Sequence, residues 1–145
     1  MTSVLDGFPL LSEFTAEERA TLEGCLEARE LDVGSVLFHG GEEADALYFV
    51  VEGRIAIRSD GQGVGELSAG EVLGALSLVS VGRRECEAYG ATPTRLLSLT
   101  REGYLRLRGD LPALALRLQE AILRSFALLV RGVVSDSRAP STSVS

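Results

Sequence analysis

What most constrains this chain is a series of short apolar runs between Leu31 and Leu99, cut at regular intervals by glycine-bearing turns. Leu31 to Phe38 carries Val33, Val36 and Leu37 and ends at Gly40-Gly41. Leu47 to Val51 is rich in β-branched and aromatic residues, Glu52-Gly53 reverses the chain, and Arg54-Ile55-Ala56-Ile57-Arg58 alternates polar with apolar. Asp60-Gly61 is a hairpin signal, Val64 to Leu67 follows, and Ala69-Gly70 turns the chain again. Cys86 to Ala91 and Arg95 to Leu99 supply two more strands, and Leu76 to Val79 reads as a short helix or a buried turn. Short strands punctuated this often predict a β-barrel or jelly roll. The 16 glycines in 145 residues fit that reading, because a helical bundle needs few tight turns.

Helical periodicity flanks the strands. Thr15-Ala16-Glu17-Glu18 matches a capping box, and Leu22, Cys25 and Leu26 give the helix after it a small apolar face. Thr100 can cap a helix from Arg101 to Arg108 that Gly109 ends. Asp110, with Pro112 in the first turn, starts a long helix running to about Arg131. On that helix Leu111, Leu114, Leu118, Ala121, Ile122, Ser125 and Leu129 form one stripe, while Leu116, Leu123 and Val130 form a second line on another side. One stripe suffices to dock on the barrel; the second predicts a homodimer or a protein partner over the helix. The length suits one domain, 1–134, and the Ser/Thr/Pro-containing residues 135–145 read as a disordered tail.

Composition narrows the function classes. A formal net charge of −7 argues against nucleic acid as a partner. No basic segment precedes an apolar run at the start, and the apolar stretches are too short to cross a bilayer, so no membrane partner is expected and the chain reads as cytoplasmic. Cys25 and Cys86 lie far apart and read as small buried hydrophobes in a reducing compartment, a disulfide being the lesser reading. His39, the single histidine, cannot assemble a metal site and reads as a surface or turn residue. No nucleophile–base pairing and no Walker pattern occurs, so neither catalysis nor a cofactor is expected.

The stretch Leu37-Phe38-His39-Gly40-Gly41-Glu42-Glu43-Ala44-Asp45-Ala46-Leu47-Tyr48-Phe49-Val50-Val51-Glu52-Gly53-Arg54-Ile55, followed by Gly70-Glu71-Val72-Leu73-Gly74, resembles the cyclic-nucleotide-binding domain family of catabolite-activator-type proteins and kinase regulatory subunits. The resemblance covers roughly Pro9 to Val130. It implies a mainly β fold, a double-stranded β-helix or jelly roll with an N-terminal helix and two C-terminal helices, acting as a regulatory module. It also implies a phosphate-binding cassette: a Gly-Glu dipeptide opening a short helix, the Glu accepting from the ribose 2′-hydroxyl, and an Arg for the phosphate followed by a small residue. The matching positions here are Gly74, Ala75 and Leu76, then Arg84, Glu85 and Cys86. Gly74 and Arg84 fit. Ala75 cannot accept from the ribose, and Glu85 puts a carboxylate after the Arg, so the cassette is degenerate or altered and cyclic-nucleotide binding is weakened or lost. Alternation turns Arg84 and Cys86 inward and Glu85 and Glu87 outward. Arg84 is left with two readings, a phosphate ligand or a salt bridge to a carboxylate such as Glu71 or Glu87.

Overall fold

A computed structural model of the protein describes residues 3–74, 82, 84 and 86–136, with side chains described through residue 126. A 3-10 turn at Pro9–Leu11 leads to helix α1 (Ala16–Glu23). The described strands are β1 (Glu27–Leu31), β2 (Val36–Phe38), β3 (Ala46–Glu52), β4 (Arg54–Ser59), β5 (Gln62–Ser68), β6 (Val72–Leu73), β7 (Glu87–Gly90) and β8 (Thr94–Thr100). Helices α2 (Arg101–Asp110) and α3 (Pro112–Asp136) close the order. The strands make two four-stranded antiparallel sheets, β1-β8-β3-β6 and β2-β7-β4-β5, the expected jelly roll.

Strand β3 organises the packing because both its faces are apolar. Leu47 and Phe49 point to a core shared with the helices, where they meet Phe8, Leu11, Leu114, Leu118 and Ile122. Ala46, Tyr48 and Val50 point the other way, between the sheets, against Ile55, Ile57, Leu73 and Leu96. The alternation along β3 thus separates a barrel interior from a helix-covered face. Between β3 and β4 the chain turns at Gly53, whose φ is +87°; a Cβ there would lie 2.3 Å from the Pro93 carbonyl oxygen. Only glycine fits that crossing of backbones.

The capping box forms as expected, with the Thr15 hydroxyl accepting from Glu18 N and the Glu18 carboxylate from Thr15 N. Several boundaries differ from expectation. Leu31 to Phe38 is divided between β1 and β2 by a turn at Asp32–Ser35, and β1 begins at Glu27, in residues too charged to signal a strand. Cys25 is exposed, since α1 ends at Glu23 before it can join the helix face, while Cys86 is half-buried. Gly109 lies inside α2 and does not end it; the last turn closes through Leu111 N donating to Leu107 O. Helix α3 continues past Arg131, and past the Ser135 boundary, to Asp136, there being no proline before Pro140 to stop it.

On α3, Leu114, Ala115, Leu118, Ala121 and Ile122 are buried, but Leu111 and Ser125 are exposed, so the docking stripe is shorter than the periodicity suggests. Leu116 and Leu123 are 55% and 52% exposed. The side chains of Leu129 and Val130 lie outside the described residues. No helix among the described residues is long and apolar enough to cross a bilayer.

Candidate functional site

Gly82 and Arg84 are laced to the β2–β3 loop by main-chain bonds: Arg84 N donates to Glu42 O at 2.7 Å, Gly41 N to Arg84 O at 2.8 Å, and Ala44 N to Gly82 O at 2.9 Å. This lacing fixes the backbone so that the Arg84 side chain enters the barrel, where it is only 3% exposed. Its Nη2 donates to Ala46 O at 2.9 Å. The guanidinium lies over the Phe38 ring, 4.2 Å from the centroid, and 5.6 Å from that of Tyr48; the two rings stack at 6.4 Å. Aromatic faces are a favourable seat for a weakly hydrated planar cation.

That seat does not satisfy the whole group. Nη1 is buried and has no hydrogen-bond partner among the described residues. Burial lowers the Arg84 pKa below the ordinary arginine value, opposed in part by Tyr48, Asp45 and Cys86. Neither expected carboxylate reaches it. Glu71 accepts from Ser68 N, and Glu87 lies 3.8 Å from Arg58 Nη1 and 3.1 Å from His39 Nδ1 on the outer face of the sheet. Of the two sequence readings, the salt bridge to Glu71 or Glu87 is therefore absent among the described contacts. Among the described residues no carboxylate is in ion-pair contact with this buried guanidinium, and such a group is chemically a receptor for an anion.

Gly74 follows β6 with φ +84° and is buried. The strand ending just before it pairs Leu73 with Tyr48, so Gly74 and Arg84 approach the barrel interior around the same tyrosine. Cys86 packs against that interior cluster. Ala75, Leu76 and Glu85 lie outside the described residues, as does Leu76 to Val79. His39 has an exposed side chain, and no metal-holding cluster occurs among the described residues.

Sequence reasoning missed Phe38 and Tyr48 as the seat of Arg84. The available signal was the alternation of Ala46, Tyr48 and Val50, which places Tyr48 on the interior face with an inward-turned arginine.

Comparison with known proteins bears on the family and the fold. Residues 28–109 match the family model described as cyclic nucleotide-binding domain. The chain is 32% identical over 128 residues to the lysophospholipase NTE1 of Pyricularia oryzae, covering 85% of this chain and 8% of that protein. It is 31% identical over 125 residues to the cyclic AMP receptor protein of Thermus thermophilus, covering 83% of this chain and 58% of that protein. The chain thus spans less than two thirds of either relative. The solved N-terminal domain of a transcriptional regulator from Streptomyces coelicolor A3(2) superimposes with a TM-score of 0.77 at 28% identity, covering 86% of this chain and 93% of that one.

Proposed function

The chain belongs to the cyclic nucleotide-binding domain family, and from that premise we propose that it is a non-enzymatic regulatory module with a weakened nucleotide site that acts through contacts of α3. The observation that carries the anion-receptor part of the proposal is Arg84, a buried cation with one nitrogen unpartnered among the described residues. It keeps a receptor for the negative charge of a cyclic phosphate. Ala75 stands where the family places the ribose acceptor, so a bound sugar hydroxyl goes unpaired at a cost of about 1–3 kcal/mol. Glu85 follows the arginine in sequence, where the family places a small residue. Anchor and sugar grip are thereby separated.

The output surface in this reading is α3. Leu116 and Leu123 are exposed on it, and Val130 continues their spacing in sequence. A second copy or another protein covering that line is the proposed partner. Nucleic acid and membrane are not, the formal charge being −7. The proposed functional unit is one domain through the end of α3, and the proposed location is the cytoplasm. No resident cofactor is part of the reading. The likeness to a lysophospholipase covers 8% of that enzyme and is read here as a shared regulatory module.

Calorimetric titration with cAMP and cGMP tests the site. Dissociation constants weaker than roughly 10 μM are expected, against about −8 kcal/mol for a 1 μM ligand. Binding at 1 μM or tighter, lost in Arg84→Met, would instead establish the second reading, a working cyclic-nucleotide sensor, which the unpartnered Arg84 nitrogen favours. Light scattering tests the assembly: a monomer at high concentration leaves only a heterologous partner for α3.

A further inference from the structure

The entry segment and α3 meet through charge as well as apolar contact. Arg117 Nε lies at ion-pair distance from Glu18 Oε2, 2.9 Å, but out of line for a hydrogen bond, and Arg117 Nη2 donates to the Glu13 carbonyl oxygen at 2.6 Å. The same guanidinium sits over Phe14, 5.4 Å from the ring centroid. Arg124, two helical turns further on, pairs with the Glu13 carboxylate. Glu18 is engaged twice, because its Oε1 also accepts from Thr15 N in the capping box at 2.8 Å. Two arginines of one helix therefore converge on one short stretch of chain, and that stretch is itself fixed at the start of α1.

The position of these arginines matters as much as their charge. Arg117 follows Leu116, and Arg124 follows Leu123, so each arginine lies about 100° around the helix from an exposed leucine. Holding both arginines against Glu13 and Glu18 sets the rotation of α3 about its axis and hence which side it turns outward. We propose that Glu13, Glu18, Arg117 and Arg124 form an ionic clasp that joins the entry segment and α3 into one unit and fixes the outward face of the helix. The groups are partly solvent-exposed, so the clasp is open to screening by salt and to competition by other charges. The apolar seam of Leu114, Leu118 and Ile122 keeps the helix attached when the clasp opens. The inference does not depend on a bound nucleotide.

Hydrogen exchange read by mass spectrometry on the full chain, without ligand, tests it. In Arg117→Gln/Arg124→Gln, exchange in α3 between residues 112 and 126 should rise about tenfold, with β3 and β8 unchanged. Arg124→Glu should have the same effect, and adding Glu13→Arg should restore protection by reversing the pair. For the unaltered protein, raising salt from about 0.05 M to 1 M should also speed exchange in α3 and spare the barrel, with no dependence on how a variant folds. Unchanged α3 exchange in salt, an equal rise throughout the barrel, or failure of Glu13→Arg to restore Arg124→Glu would each overturn the clasp. None of these outcomes bears on nucleotide affinity, so the two proposals fail separately.

Discussion

Arg84→Met removes the buried cation from the barrel while keeping a long, flexible side chain between Phe38 and Tyr48. Without ligand, the arginine keeps a bond from Nη2 to Ala46 O, about 1.5–3 kcal/mol for a charged donor, and a ring contact of about 0.5–2 kcal/mol. Against this stand the unmade bond at Nη1, about 1–3 kcal/mol, and the desolvation of the charge, several kcal/mol. The balance favours methionine by about 1–3 kcal/mol, a rise in Tm of roughly 3–10 °C for a domain this size. The sign follows from the titration as well. Burial lowers the Arg84 pKa in the folded state, so the charged form opposes folding at every pH below that value, neutral pH included. The penalty fades only as the pH rises through the lowered pKa. Urea denaturation at neutral pH measures the effect, and titration with cyclic nucleotide on the same variant should show any residual binding gone. A ligand-free Arg84→Met less stable than the parent by 1 kcal/mol or more would refute the reasoning, since it would mean that the pocket supplies the arginine with its own counter-charge.

Four further substitutions probe the frame. Gly53→Ala combines a left-handed φ, worth about 1–2 kcal/mol, with a Cβ 2.3 Å from the Pro93 oxygen, and should cost about 3 kcal/mol or more in urea denaturation. Gly61→Ala, also at positive φ but in open space, should cost only about 1 kcal/mol; equal losses would contradict the steric argument. Leu118→Ala, fully buried on α3, should destabilise by about 2–5 kcal/mol, whereas Leu116→Ala should change the stability of the isolated chain by no more than about 0.5 kcal/mol.

The turns and the interior strands were readable because each carries a local signal. Gly41, Gly53, Gly61 and Gly70 stand at positive φ where turns were expected, and the apolar run of Leu47 to Val51 forms β3. Strand β1 was not readable, because four of its five residues are exposed and its strand state comes from pairing with β8. Cys25 misled because helical spacing continues through it although the helix stops at Glu23. The inward turn of Arg84 was expected from alternation, but its aromatic seat was not, since Phe38 and Tyr48 lie on strands of different sheets that the β-roll brings together under a residue far along the chain. Charged pairs across α1 and α3 leave no periodic trace at all.

The placement of β8 at the centre of its sheet, between β1 and β3, carries a consequence for how the protein is made. Glu27 pairs with Ser98 and Val36 with Tyr89, so the first two strands synthesised wait for the last two. Only β4 and β5, joined across Asp60-Gly61, can pair as soon as they are translated among the described strands. A growing chain that has not reached Thr100 leaves β3 without its long ladder partner, and Leu47 and Phe49 without the α3 side chains Leu114, Leu118 and Ile122. Such long-range closure belongs to the slow class of folding, where chain entropy is lost before contacts compensate it. A nascent or truncated chain ending before β8 is accordingly a species prone to stick to its neighbours.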